Sequence, residues 1–231
     1  MRSSNLNIII KAIQKASNHV ARDFMELENL QSNPVSANKF AILSLNRVKQ
    51  ILIDEFTKFR SDYDLAFSDG QKIVRKPDNE YVLFINPIDG IENLSRSNPD
   101  FTISVALQHF NKINNDLQSI AVVILKVIGG ELFYAEKGFG AYLNNRRIRV
   151  SKRTNNPQQI IASDVISFNK NSNQIIRSYG CESLSIAYLS SSRVDKLVIE
   201  KNQNLVSKFF LLAKESGAKI TEENNYLIVS N

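Results

Sequence analysis

In 231 residues, 43% of them hydrophobic and 23% charged, the sequence has the make-up of a globular chain able to bury a substantial core. No apolar run approaches the roughly 18 residues of a membrane span. One cysteine, Cys181, excludes an internal disulfide and a cysteine zinc cluster, which fits the cytoplasm, and two histidines, His19 and His109, leave few options for a histidine metal site or a serine–histidine triad. The apolar cluster Leu6–Ile13 is interrupted by Asn7 and Lys11 and has no cleavage site after it, so it does not read as a signal peptide. The net charge of +6 admits an acidic partner, whether nucleic acid, phosphorylated ligand or protein. Its Lys and Arg are nevertheless dispersed, with Asn145-Arg146-Arg147-Ile148-Arg149 the local exception, and the Asn, Ile and Lys content is what AT-biased coding gives.

Residues 6–27 are predicted as a first helix, because Leu6, Ile9, Ile10, Ile13, Val20 and Phe24 recur at helical spacing. Asn33-Pro34 marks the linker that ends it. Residues 41–59 are predicted as a second helix, with Leu45, Val48, Leu52, Phe56 and Phe59 as its apolar stripe. The pattern then changes to strands: 81–85, the alternating 101–107, the β-branched 120–127, and 131–135 after a Gly129-Gly130 hairpin turn. Gly138 and Gly140 punctuate the next turn, and a short strand at 160–163 follows Pro157. Residues 182–192 read as helix, 194–199 as extended, 205–216 as helix stopped by Gly217, and 226–229 as a last strand. That order suggests layered α/β or α+β packing rather than a doubly wound sheet.

The segment Phe84-Ile85-Asn86-Pro87-Ile88-Asp89-Gly90-Ile91-Glu92-Asn93 resembles the signature of the inositol monophosphatase family, in which a strand ends in Asp-Pro-Ile-Asp-Gly-Thr with Asn soon after. Its physical logic is two carboxylates at a strand end, a turn forced by Pro and Gly, and a helix N-terminus to receive phosphate. Pro99-Asp100-Phe101-Thr102 through Leu107, Ala135 through Asn144, Arg147 through Ser151, Gly180-Cys181-Glu182-Ser183-Leu184, Ala187-Tyr188, Arg193-Val194-Asp195 and Glu215-Ser216-Gly217-Ala218 continue the likeness. It covers nearly the whole chain, with 152–177 shortened, and points to the bacterial extragenic-suppressor branch. The resemblance implies one domain over residues 1–231, an αβαβα sandwich of two packed halves (about 1–145 and 146–231), and homodimerisation. It also implies Mg²⁺-dependent hydrolysis of a small phosphate monoester such as an inositol phosphate.

Carried over position by position, the resemblance also predicts damage to that chemistry. The family holds Mg²⁺ with carboxylates, and Mg²⁺ is a hard cation that demands oxygen ligands. Asp89 matches the second aspartate of the signature, but the first is Asn86, a neutral amide. The upstream glutamate pair, counted from Ile53-Asp54, falls on Ser68-Asp69. The family's late-helix aspartate falls on Leu205, or on Asn204 in a register shifted by one, and the aspartate near the start of the second helix falls on Leu45. The threonine that orients the attacking water is Ile91, which has no hydroxyl. The candidate catalytic residues are therefore Asp89, Asp69 and Ile91. The candidate metal set is Asp89, Asp69, Asn86 and the backbone carbonyl of Ile88, with Asp62, Asp64 and Glu92 as further acids nearby. Gly90, Ile91 and Asn93 would face phosphate.

Carboxylates clustered without a cation repel, so losing them together relieves a chain that no longer binds metal. Apolar Leu45, Ile91 and Leu205 suggest a site being filled and dried. Gly90, Gly138, Gly140 and Gly217 read as scaffold turns, and Cys181, at a helix start, as packing rather than as a nucleophile. Glu182 would add favourable charge to that helix's first turn. Residual phosphatase activity, a non-catalytic scaffold binding transcription antitermination factors, RNA polymerase or RNA, and a folded remnant without function all stay open at the level of sequence.

Overall fold

The computed structural model describes residues 2–76, 79–111, 115–153, 158–165, 173–201 and 205–231, apart from the Glu28 side chain. Helix α1 (Ser4–Leu27) buries Leu6, Ile9, Ile10, Ile13, Ala16 and Val20, the face its periodicity specifies. Helix α2 spans Pro34–Phe59 and so begins seven residues before its predicted start. Asn33-Pro34 ends no helix here. Asn33 is the N-cap of α2, its side-chain oxygen accepting from the Ser36 amide at 3.2 Å, and Pro34 occupies the first turn, where a missing N–H costs nothing. The buried stripe of α2 also differs from the predicted one. Ala37, Ala41, Ser44, Val48, Leu52 and Phe56 face inward, Leu45 is half-buried, and Phe59 is 45% exposed. The two helices are joined by a two-oxygen contact, Arg47 Nη1 lying 2.7 and 3.0 Å from the carboxylate oxygens of buried Asp23.

The larger sheet takes β1 (Asp64–Phe67), β2 (Lys72–Ile73), β3 (Tyr81–Asp89), β4 (Thr102–Asn111), β5 (Asp116–Lys126), β6 (Glu131–Glu136), β7 (Gly140–Leu143) and β8 (Arg146–Ile148). Its order is β2-β1-β3-β4-β5-β6-β7-β8, with a short helix α3 (Ile91–Ser95) between β3 and β4. All neighbours pair antiparallel except β1 and β3, which run parallel. The second sheet holds β9 (Ile160–Ala162), β10 (Ile175–Arg177), β11 (Lys196–Glu200), β12 (Lys219–Glu223) and β13 (Tyr226–Ser230) in the order β10-β9-β11-β13-β12. Helices α4 (Glu182–Ser190) and α5 (Phe210–Glu215) complete the described elements. The helix expected over 205–216 is divided, a 3-10 turn at Val206–Phe209 preceding α5. Pro157 and Asn204 lie outside the described residues.

Alternation along the central strands assigns their two faces to two cores. Leu83, Ile85, Ile103, Val105, Leu107, Val123 and Leu125 pack under α1 and α2. Phe84, Ala106, Val122, Ile124 and Phe133 point the other way and meet Leu184, Ile186, Leu189, Phe209 and Leu212 from the α4–α5 layer, with Leu197, Ile199 and Val229 of the second sheet beyond. The described residues thus stack as helices, sheet, helices, sheet, a layered α+β arrangement.

One side chain fastens α5 to the large sheet. The Glu215 carboxylate accepts from the Gly138 and Gly140 amides, one on each oxygen, both at 2.8 Å. Gly217, at φ +99°, then stops the helix as expected, the Ala218 amide reaching back to the Ala213 carbonyl at 2.9 Å. Glu215→Gln keeps one acceptor and sets an amide NH₂ against the other glycine N–H. Chemical denaturation should show a loss of about 1.5–3 kcal/mol, the range for a hydrogen bond to a charged group. An unchanged midpoint would show that the clamp contributes little.

Candidate functional site

Parallel pairing of β1 and β3, with Phe67 opposite Ile85, delivers both strand ends to the same edge of the sheet. Ser68 and Asn86 therefore emerge side by side. The Ser68 amide donates to the Ile85 carbonyl at 3.0 Å, and its hydroxyl donates to Asn86 Oδ1 at 3.0 Å. The resemblance expects acids at both positions, one in the strand-end signature and one upstream, and here the two side chains hydrogen-bond directly to each other. The register of β3 against β4 then shifts between Asn86 and Asp89, which brings Asp89 opposite Thr102. Gly90 follows in the left-handed region at φ 85°, ψ 46°. A Cβ there would lie 3.1 Å from the Asp100 carbonyl oxygen and 3.2 Å from that of Gly180, so no other residue fits without movement.

Asp89 retains some residue surface, but its carboxylate end is enclosed by the start of α4. Oδ2 accepts from the Ser183 amide at 2.8 Å and from the Ser183 hydroxyl at 2.6 Å. Cys181 holds the N-cap position of α4 without a side-chain cap bond, so a carboxylate 94 residues away satisfies that helix end in its place. Thr102 Oγ1 lies 2.6 Å from Ser183 Oγ and 3.2 Å from Ser104 Oγ, extending the contact into a buried chain of hydroxyls. Burial pushes the Asp89 carboxyl above its ordinary range, with the Ser183 hydrogen bonds opposing. Burial, and then the neighbouring Asp89, push the Cys181 thiol far up, which makes it a packing group and not a nucleophile.

Asp69 is held differently. Lys49 of α2 places its ammonium 2.5 Å from Asp69 Oδ2 and 4.5 Å from the centre of the Phe67 ring, and the Gln71 amide donates to Oδ1 at 3.0 Å. The Lys49 hydrogen bond lowers the Asp69 pKa. Only 12% of the Lys49 side chain is exposed, so this cation is fixed rather than waving in solvent. Lys49 was missed in the sequence because it looks like any polar helix residue. The available signal was its place one turn after Leu45, on the helix face that carries a family ligand position.

The remaining candidates have structural partners. Ile91 packs against the first core, and the Ile88 side chain is buried in it. Asn93 Nδ2 donates to the Asp100 and Tyr179 carbonyls, both at 2.7 Å, which latches two loops together. Asp64 Oδ1 accepts from the Arg75 amide and Asn79 Nδ2 at the start of β1, and Asp62 offers its carbonyl to the same Asn79. Glu92 is exposed. Leu45 does fill space beside the first core, but Leu205 is 45% exposed, so the expectation that it dries the site is corrected. Among the described residues no group of three or more His, Cys, Asp or Glu is placed to hold a metal ion.

Glu182, expected to favour the first turn of α4, instead sits under strain. Burial, then Asp89 and Asp164, raise its pKa to about 7. A carboxyl whose folded pKa exceeds its unfolded value of 4.5 contributes stability that is fully present below that value and lost as pH rises through about 7. Urea titrations at pH 5 and pH 8 should therefore show the wild type losing more stability over that interval than Glu182→Gln. Parallel losses in both proteins would remove Glu182 as the cause.

Comparison with known proteins bears on the family and the fold. Residues 1–203 match the inositol monophosphatase family. The chain is 30% identical to an inositol-1-monophosphatase of Caulobacter vibrioides, an alignment covering 96% of this chain and 91% of that protein. It is 26% identical to the Nus factor SuhB of Vibrio cholerae over 94% of this chain and 84% of that one. The extragenic suppressor protein SuhB from Bartonella henselae has the same fold, with a TM-score of 0.83 at 24% identity, covering 99% of this chain and 94% of that chain. From the strand-end turn, the layered architecture and these matches together, the chain belongs to the inositol monophosphatase family.

Proposed function

We propose that this protein has exchanged Mg²⁺-dependent hydrolysis of phosphate monoesters for a non-catalytic binding role on the same scaffold. The observation that carries this reading is that the two aspartates matched to the site are already engaged by the protein itself, Asp69 by Lys49 and Asp89 by Ser183. Family chemistry needs carboxylates free to hold Mg²⁺, which activates water and offsets the charge of the leaving group. A serine hydroxyl bonded to an amide oxygen, an aspartate paired with an ammonium, and an aspartate capping a helix do not fit that ion as a donor set. Ile91 has no hydroxyl to orient a water, and its side chain serves packing instead.

Relatives bearing the name Nus factor SuhB motivate the binding role, with antitermination factors, RNA polymerase or RNA as partners. The direct test is calorimetric titration with Mg²⁺, paired with an assay of phosphate release from inositol 1-phosphate. Neither saturable heat nor release is expected at millimolar Mg²⁺. Turnover that disappears in Asp89→Asn would overturn the reading and restore the phosphatase.

A second test rebuilds the acids. Ser68→Glu with Asn86→Asp sets new carboxylates beside Asp69 and Asp89, and like charges in that space repel. Thermal melts should show the double variant below wild type in EDTA and partly recovered by Mg²⁺, while wild type ignores the ion. A wild-type melting temperature that itself rises with Mg²⁺ would contradict the proposal.

A further inference from the structure

At the opposite end of the central strands from Asp89 lies a cleft of about 390 Å³ that none of the groups above uses. Three lysines from three separate segments line it: Lys137 from the β6–β7 turn, Lys208 from the 3-10 turn, and Lys214 from α5. Among the described residues Asp116 is the one acid on its wall, and Gln108 and Gln118 supply neutral polar groups. Among the described residues no carboxylate forms an ion pair with any of the three ammonium groups. Lys137 Nζ does donate to Gln118 Oε1 at 3.3 Å.

The lysines are not brought together by loose loops. Ser119 Oγ donates to the Lys208 carbonyl at 2.7 Å, which ties the 3-10 turn to β5. The Glu215 clamp on Gly138 and Gly140 ties the β6–β7 turn to α5, and the Lys137 amide donates to the Ile120 carbonyl at 2.9 Å. Each segment that carries a lysine is therefore fixed to its neighbour by a hydrogen bond of the backbone or of a side chain. Lys208 is half-buried while Lys137 and Lys214 are exposed, and like charges lining one volume are eased when an anion sits among them. The volume falls within the roughly 300–1,000 Å³ that small-molecule ligands occupy. Ammonium groups act as point-charge partners for phosphate oxygens, and the adjoining amides add hydrogen-bond donors.

We propose that this cleft is a binding site for a small anion carrying two phosphoryl groups, separate from the family's metal position. Pyrophosphate is the probe. Isothermal titration without metal should give saturable one-to-one binding, and Lys208→Met with Lys214→Gln should weaken it at least tenfold. Arg146→Gln with Arg147→Gln, which removes the same charge from the exposed β8 edge, should leave it within twofold. Absent saturation in wild type, or equal weakening by both pairs of substitutions, would show only diffuse attraction to a basic protein and overturn the site. Melting temperatures of both double variants, measured beforehand, confirm that the fold is retained. The outcome is independent of whether Mg²⁺ or phosphatase activity is found at Asp89.

Discussion

The contact between Asp89 and Ser183 holds together what the sequence separates. Asp89 stands at the end of a strand whose neighbours pack under α1 and α2, and Ser183 stands in the first turn of a helix that belongs to the other core. A carboxylate placed on unsatisfied amides at a helix start is favoured by hydrogen bonding and by the helix dipole together. Gly90 lets the chain turn directly beneath that helix, and the Asn93 amide spans the same gap to the Tyr179 carbonyl. The junction between the two cores is therefore built around a polar pin in otherwise apolar surroundings. Such a pin stays favourable only while every member of it has a partner.

The same residues hold the site together through the protein's own groups. In a metal-binding version of this turn, charge repulsion among acids is held in check by coordination. Here the strand-end pair is a hydroxyl and an amide that satisfy one another, and the charge of Asp69 is met by an ammonium carried on α2. The cation beside Asp69 is a covalently attached side chain of the protein itself.

Much of the fold is legible in the sequence, for identifiable reasons. The α1 periodicity and the alternation in β3 through β6 are strong because those elements present wide apolar faces to a core. The strand β12 could not be read, since Lys219–Glu223 has no buried residue and owes its conformation to pairing with β13. The short strand β1 gains its meaning from a parallel partner whose paired residues lie eighteen positions away, which no local pattern encodes. The beginning of α2 was obscured because Asn-Pro serves equally as a linker and as a helix cap. Within the site, the positions of Asn86, Asp89 and Gly90 follow from a recognisable turn. Ser183, the partner of Asp89, and Lys49, the partner of Asp69, depend on tertiary placement and were out of reach.

Gly90 carries a consequence for how such turns are interpreted. Two carbonyl oxygens and a cysteine side chain crowd the place where any larger residue would put its first carbon. Purely steric need is then enough to preserve the glycine, and the bulge before it fixes the approach of the strand. A chain can go on displaying the hallmark of a catalytic family for as long as it must fold, whether or not it turns over substrate. In this architecture the hallmark attests to shape, and only the side chains flanking it attest to chemistry.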